Sequence, residues 1–299
     1  MKPWMIVAIA LIATGGLLFC VAMSVLGWDF SKLTTVKYEE NRHDIREDFQ
    51  NITIKTNTAD VRILPAAEGV GAYVVSQDQA HLYHSVTVQE GELIIERHDE
   101  RKWYEMIEVG FNDHVLTVYL PETAYHAISI TLNTGDVSLP QGIAFGSVDI
   151  KGSTGDVECR SNVLGDLCVR VGTGDIDVKG ISVGGKMTLT VSTGDVKVES
   201  VTCTSFASEG STGDLCMNDV VADEKFAITR GTGDVKMERC DAAELVITTG
   251  TGDVKGTLLS EKIFIAKAGA GDVKVPETTG GGLCKITTST GDIQITIVD

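Results

Sequence analysis

The sequence contains few aromatic residues, few prolines and little positive charge. Of its 299 residues, 6% are aromatic and five are proline, whereas 32 are glycine. Lys and Arg number 25 against 42 Asp and Glu, which gives a formal net charge of −17. Because nucleic acids and anionic bilayers attract basic surfaces, this balance argues against nucleic acid as a partner and against charge-driven docking on a membrane. The glycine content favours short strands and tight corners over a helical domain.

Motifs of catalysis and of cofactor binding are also missing. The sequence has no Cys-x-x-Cys or paired Cys/His spacing, no serine elbow, no P-loop and no dinucleotide fingerprint. We interpret the histidines as members of solvated polar loops rather than as metal ligands. They are His43, His81, His84, His98, His114 and His126. We therefore predict a protein that is not an enzyme and that has no catalytic residues, no metal and no cofactor.

Six cysteines lie outside the N-terminal segment, and their spacing does not match from one repeat to the next. A disulfide between adjacent repeats would need matching positions, so we predict free thiols. The six are Cys159, Cys168, Cys203, Cys216, Cys240 and Cys284.

The N-terminus carries a stretch of 21 residues without charge, from Ile6 to Leu26. About 20 apolar residues span a bilayer, whereas a cleavable signal has a shorter apolar region. Trp4 and Trp28 flank the stretch where interfacial aromatics are expected. We predict that residues 1–28 form a retained signal-anchor helix, with a long cleaved signal peptide as the alternative. The expected location is the cell membrane, single-pass, with the C-terminal domain extracellular.

Gly-Asp followed by an aliphatic residue recurs nine times, in steps of 19 or 20 residues. A period this strict predicts an architecture in which each repeat buries its apolar face against its neighbours. The aspartates are Asp136, Asp156, Asp175, Asp195, Asp214, Asp234, Asp253, Asp272 and Asp292.

Each repeat carries two short strand patterns on either side of its aspartate. The positions eight and six before the aspartate are mostly apolar, and so are the positions one and three after it, which changes the parity of the buried face across Gly-Asp. A sharp bend at the glycine accounts for this switch. We predict an all-β fold, a parallel β-solenoid of about ten coils preceded by one transmembrane helix. An antiparallel stack of hairpins is the alternative.

A degenerate repeat, Asn57–Val61, lies well before the regular series, and residues 65–121 separate the two. We predict a linker at 29–48 and a solenoid domain at 49–299. Within it, residues 65–121 are an insertion that caps the membrane-proximal end, and residues 128–299 hold the regular repeats. We expect Ile293, Ile295 and Ile297 to form an open coil edge.

Two sets of residues are candidate sites. Aligned on one corner, the nine aspartates would accept hydrogen bonds from backbone N–H groups, which is a structural role. Calcium binding is the alternative, although each coil offers only one carboxylate. Arg101, Lys102, Trp103 and Tyr104 combine charge with aromatic rings and form a candidate contact for lipid headgroups or a partner.

The Ser-Thr-Gly-Asp blocks at Ser153–Val157, Ser192–Val196, Ser211–Leu215 and Ser289–Ile293 resemble the bacterial putative-adhesin family. The N-terminal anchor and the segment Val118–Glu122 resemble its membrane-anchored members from Gram-positive bacteria. The resemblance implies a β-solenoid on the cell envelope. The family is a domain of unknown function, so the resemblance implies neither a ligand nor catalytic residues.

From these observations we predict a non-enzymatic, adhesin-like binding module displayed outside the membrane. Its expected partners are the lipid bilayer, through the N-terminal helix, and an envelope protein or glycan. The first alternative is a membrane-tethered accessory protein in envelope-stress signalling. The second is a polysaccharide-acting enzyme, since parallel β-helices host such activities, but the repeats contain no histidine and few irregular charges.

Overall fold

A computed structural model describes residues 3–28, 39–79, 81–102 and 114–298. Helix α1 (Pro3–Val25) is exposed, and its residues Trp4–Val25 have a mean hydropathy of 2.6. By length and composition it can cross a membrane, although an N-terminal signal sequence has the same properties. The rest of the described chain is β-structure.

The strands fall into an N-terminal group and a repeat group. The first comprises β1 (Glu39–Asp44), β2 (Asn51–Lys55), β3 (Asp60–Pro65), β4 (Tyr73–Asp78), β5 (Leu82–Gln89), β6 (Glu92–Asp99) and β7 (Val115–Leu120). The second comprises β8 (Ala124–Thr134), β9 (Val137–Leu139), β10 (Ala144–Thr154), β11 (Val157–Cys159), β12 (Asn162–Val163), β13 (Leu167–Thr173), β14 (Ile176–Lys179), β15 (Ser182–Thr193), β16 (Val196–Thr212), β17 (Leu215–Thr232), β18 (Val235–Thr251), β19 (Val254–Leu258), β20 (Lys262–Ala270), β21 (Val273–Lys274), β22 (Gly282–Thr290) and β23 (Ile293–Ile297).

All strand pairs among β8 to β23 are parallel, and equivalent repeat positions lie opposite one another. For example, Leu167 pairs with Met187, which in turn pairs with Phe206. The predicted parallel β-solenoid is therefore confirmed, with about nine turns, and the hairpin alternative is wrong.

The bend at each Gly-Asp corner reverses the parity of the buried face. Leu189 and Val196 are both buried although they are seven positions apart, an odd step that would place them on opposite faces of a regular strand. The nine corner glycines have φ between 127° and 146°, a region that residues with a Cβ rarely adopt. The change of parity lets both strands of each coil point their apolar side chains into one continuous core.

The N-terminal end of the solenoid is closed by strands β4 to β7 of the predicted insertion, together with β1. Strands β6 and β7 stack in parallel on the outer sides of β2 and β3, which pair on their other sides with β8 and β9. Antiparallel strands then cover this coil, since β5 pairs with β6, and β4 lies between β7 and β1. The insertion thus supplies both an additional coil and a cover for it.

The last two coils do not stack in the order of the sequence. Strands β22 and β23 lie between β18–β19 on one side and β20–β21 on the other. The expectation of an open edge at Ile293, Ile295 and Ile297 is therefore wrong, because these residues pair with β19 and the first two are buried. The coil of β20 and β21 occupies the end instead.

The inward positions of the two coils differ in size in both directions. Ile286 of β22 pairs with the smaller Ala266 of β20, whereas Cys284 of β22 pairs with the larger Phe264.

All seven cysteines are free thiols. Burial raises the pKa of Cys159 and Cys240 to about 11 and that of Cys203 and Cys284 to about 12. Because the thiolate is the reactive form, these four side chains are chemically inert parts of the core.

Candidate binding surfaces of the solenoid

An aspartate ladder runs along one corner of the solenoid. In each rung, the carboxylate Oδ1 of one aspartate accepts a hydrogen bond from the backbone N–H of the aspartate on the next coil, at 2.7–3.0 Å. The ladder begins at Asp60 of the degenerate repeat and includes all nine predicted aspartates. In spatial order they are Asp60, Asp136, Asp156, Asp175, Asp195, Asp214, Asp234, Asp253, Asp292 and Asp272.

If the ladder is structural, the acceptor oxygen and not the charge should matter. We expect Asp195→Asn to change the free energy of unfolding by less than about 0.5 kcal/mol, because the amide retains Oδ1 as acceptor for Asp214 N–H. Asp195→Ala should cost about 1 kcal/mol through loss of that bond. Urea unfolding of both variants, with added Ca²⁺ and with chelator, checks this. Calcium-dependent stability that Asp195→Asn abolishes would contradict the structural role.

A continuous groove follows the ladder along the outer surface. Its first part has a volume of about 830 Å³ and its second part about 590 Å³, and both are lined by Lys197 and Cys216. The groove therefore extends from Arg62 at one end to Lys255 at the other.

The charge of the groove changes along its length. The first part is lined by five ladder aspartates together with Glu158 and Asp177. In the second part, lysines neutralise the ladder. Lys236 Nζ lies 3.3 Å from Asp214 Oδ2 and 3.4 Å from Asp234 Oδ2. Lys255 Nζ lies 2.7 Å from Asp253 Oδ2. The groove thus presents an acidic half and a charge-balanced half to a ligand lying along it.

The pKa shifts along the ladder follow from these contacts. The hydrogen bond from the backbone of Asp234 lowers the pKa of Asp214, and Lys236 lowers it further. The side chain of Lys255 lowers the pKa of Asp253, assisted by the backbone of Asp292. Both carboxylates are therefore anionic at neutral pH.

A group of buried, hydrogen-bonded polar side chains, called here the polar relay, lies within the N-terminal cover between β1, β4 and β5. His84 Nδ1 is 2.8 Å from Asp78 Oδ1, and His84 Nε2 is 3.2 Å from Thr56 Oγ1. Asp78 Oδ2 accepts hydrogen bonds from Ser76 Oγ at 2.6 Å and Asn41 Nδ2 at 3.1 Å. Burial by itself would raise the pKa of Asp78, but the hydrogen bonds from His84, Ser76 and Asn41 outweigh it and lower that pKa.

The interpretation of His84 as part of a solvated loop is wrong, because it lies on β5 and is buried. The alternation of Leu82, His84 and Val86 places it on the inward face of a strand, and this signal could have identified it. The Thr56–His84–Asp78 order resembles that of a catalytic triad. However, Asp78 and His84 line the cavity of about 370 Å³ beside them, whereas Thr56 does not. The relay therefore satisfies buried polar groups.

A second buried polar group lies inside the repeats. Arg230 is 2% exposed and donates one hydrogen bond, from Nη2 to Ser208 Oγ at 2.8 Å, while its Nε and Nη1 have no partner among the described residues. It fits because the coil beneath has small residues, Ser208 and Gly210, where a Cβ on Gly210 would lie 1.7 Å from Nη1. Burial lowers the pKa of Arg230 to about 10, although Asp195 and Asp214 favour its charged form.

Replacing this buried charge by an apolar side chain of similar length should stabilise the fold. We expect Arg230→Met to raise the free energy of unfolding by about 1–3 kcal/mol, because it removes a desolvated cation with unsatisfied donors. Arg170→Met is the matched control, since Arg170 is exposed and pairs with Asp149 on the surface; its effect should be within about 1 kcal/mol. Denaturant unfolding measures both. A destabilised Arg230→Met would show that the guanidinium contributes net stability.

The predicted partner-contact cluster is only partly described. Arg101 forms an ion pair with Asp99 at 2.6 Å and lowers the pKa of Asp99 to about 2. Lys102 is exposed. Trp103 and Tyr104 lie outside the described residues.

The described chain is an elongated β-solenoid with an aspartate ladder and a long lateral groove. An apolar helix precedes the solenoid. Residues 49–220 and 185–299 match the family described as Toastrack DUF4097, and the chain belongs to that family. No curated protein is significantly similar in sequence.

A solved structure of low sequence identity has the same fold, and two others are similar over most of their length. One from Parabacteroides distasonis ATCC 8503, described as a putative adhesin, is 11% identical, with a TM-score of 0.52 over 89% of this chain and 98% of that one. Putative adhesins from Bacteroides fragilis NCTC 9343 and Parabacteroides merdae ATCC 43184 are 16% and 12% identical, with TM-scores of 0.47 and 0.49. They cover 88% and 89% of this chain, and the matches span 97% and 98% of their own lengths.

Proposed function

We propose that this protein is a non-enzymatic binding module held on the outer side of the cell membrane by α1. The observation that carries the proposal is the continuous groove along the aspartate ladder. Solenoids use such long lateral surfaces to bind extended ligands. A solved structure described as a putative adhesin shares the fold, which supports a role in surface contact.

The chemistry of the groove favours a linear ligand, such as a glycan or an extended polypeptide. In its acidic half, carboxylates recur at the spacing of the coils, about 4.8 Å. They can accept hydrogen bonds from a row of hydroxyl or amide donors. In its second half, three lysines and two glutamates lie among uncharged side chains, so the ligand need not be uniformly cationic.

A photoreactive residue in place of Ser138, which lines the groove, tests this proposal on intact cells. We expect it to capture a wall polymer or an external protein. A photoreactive residue in place of the exposed Thr229, which does not line the groove, should capture neither. External protease should also degrade the domain on intact cells. A protected domain, or equal capture from both positions, would overturn the proposal.

A second candidate is a membrane-tethered accessory protein. It is favoured by the polar cavity of about 370 Å³, which is lined by Glu39, Asn41 and His43 of β1, the first strand after the apolar helix. In this case a probe in place of Lys102, and not the one at Ser138, should capture an integral membrane protein.

A further inference from the structure

The C-terminal end of the solenoid exposes an unpaired strand edge. Strands β20 and β21 pair with β22 and β23 on one side, and no strand of the described residues pairs with their other side. The end also exposes large apolar side chains, with Ile263 47% and Ile265 55% exposed. Val273 of β21, on the same coil, is also exposed.

This edge is not covered by another segment of the described residues. Proteins commonly place charged residues or proline on an edge strand, or cover it with another segment. Here Lys262 points inward and pairs with Asp241 at 2.6 Å, which leaves Lys267 as the exposed charge of β20. The opposite end of the solenoid, by contrast, is covered by the antiparallel strands β4 and β5.

The charge of the outermost coil permits two copies to approach. Although the chain has a net charge of −17, residues 261–277 contain three acidic and three basic side chains. These are Glu261, Asp272, Glu277, Lys262, Lys267 and Lys274. Like-charge repulsion between two copies is therefore smaller at this end than the net charge of the chain suggests.

The ladder also ends here with an available acceptor. Asp272 donates its N–H to Asp292, and its own carboxylate accepts no hydrogen bond from the described residues. An occupant of this end must therefore supply backbone donors and acceptors as well as apolar side chains.

We propose that the occupant is the same end of a second copy, joined through an antiparallel β20–β20 contact. Such a contact is isologous and closes after two copies, because both copies use the same edge. The end measures about 30 Å by 20 Å from the strand length and the spacing of the sheets, or on the order of 600 Å² per partner. This is somewhat below the ~800 Å² per partner of a standard interface, so a single contact is weak.

The consequence deepens the proposed function, on which it rests. In an end-to-end dimer the two N-terminal ends point in opposite directions, about 90 Å apart for two rods of nine turns. Chains anchored at their N-termini would thus join opposed membranes, and many weak contacts between two surfaces would act together.

Lipid vesicles carrying the full-length protein test this proposal. Two populations of phosphatidylcholine vesicles, labelled with donor or acceptor lipid dyes, should cluster and show energy transfer. The double variant Ile263→Lys/Ile265→Lys should lower clustering at least tenfold, because both side chains are exposed at the end. The control Thr229→Lys/Thr248→Lys adds the same charge to exposed positions in the middle of the rod and should cluster as the wild type does.

A photoreactive residue at Ile265 in the otherwise wild-type chain provides a second measurement that does not depend on the double variant folding. It should crosslink β20 of chains from different vesicle populations. Each of three results would overturn the proposal. Vesicles with the wild-type protein fail to cluster, vesicles with the double variant cluster equally well, or Ile265 crosslinks to another segment. The vesicle experiment does not depend on where the protein is located in the cell. Its outcome is therefore separate from that of the protease test of the proposed function.

Discussion

Replacing Gly194 by alanine is expected to lower the free energy of unfolding by more than about 4 kcal/mol, or to prevent folding. Gly194 has φ of 141°, and an added Cβ would lie 2.0 Å from the carbonyl oxygen of Gly174 on the neighbouring coil. That carbonyl belongs to the next corner, which is fixed by the hydrogen bond between Asp175 and Asp195. The clash therefore cannot be relieved by moving one side chain. Urea unfolding monitored by far-ultraviolet circular dichroism measures the loss.

Gly180→Ala is the matched control for this prediction. Gly180 also has a positive φ, of 67°, but an added Cβ would meet no atom within 4 Å. Its cost should be limited to the left-handed conformation, about 1–2 kcal/mol. If both variants cost the same, contact between corners is not what requires glycine in the repeat. Because each coil contacts only its neighbours, hydrogen exchange in Gly194→Ala should increase most in the adjoining coils.

The sequence predicts the repeats well because each coil repeats the same local constraints. The strict step between Gly-Asp corners sets the register, and the parity change across them requires a bend at glycine. Leu167, Met187 and Phe206 illustrate this, since their shared position in the repeat predicts their pairing. In a parallel stack of equal coils, sequence neighbours become spatial neighbours, so few other topologies compete.

The ends of the solenoid are harder to predict because periodicity does not determine which coil is outermost. Side-chain size does not decide between the last two coils either, since Phe264 and Ala266 in one pair with Cys284 and Ile286 in the other. The aspartate ladder does not distinguish the two orders, because Asp292 donates its N–H to Asp253, and Asp272 donates its N–H to Asp292, with the same geometry. The repeat motif therefore carries no information about the order of these coils.

The polar groups of the interior were missed for a related reason. Arg230 occupies a position that is Val171 and Val191 in other coils, and its burial depends on the small Ser208 and Gly210 of the coil beneath. Such compensation involves two coils and is invisible when each is considered alone. The groove was likewise not predicted, because it arises from the shape of the stacked corners rather than from any motif.

Asp78→Asn is expected to lower the free energy of unfolding at neutral pH by about 3–5 kcal/mol. The carboxylate accepts four hydrogen bonds, two on each oxygen, and two of the four come from the backbone and ring of His84. In asparagine an NH₂ group replaces one of the oxygens, so it would face two hydrogen-bond donors. The relay lies between β1, β4 and β5, so its loss should loosen the cover of the N-terminal end. Asp223→Asn, which changes an exposed carboxylate, should alter stability by less than about 0.5 kcal/mol.

The dependence on pH distinguishes the charge of Asp78 from its shape. Because folding lowers its pKa, the ionised carboxylate stabilises the fold above the unfolded pKa of about 3.9, and this contribution is lost as pH falls through the folded pKa. The wild type should therefore lose more stability than Asp78→Asn between pH 5 and about pH 2, and the two unfolding curves should converge. Parallel pH profiles would show that the hydrogen-bond geometry, and not the anion, holds the N-terminal cover in place.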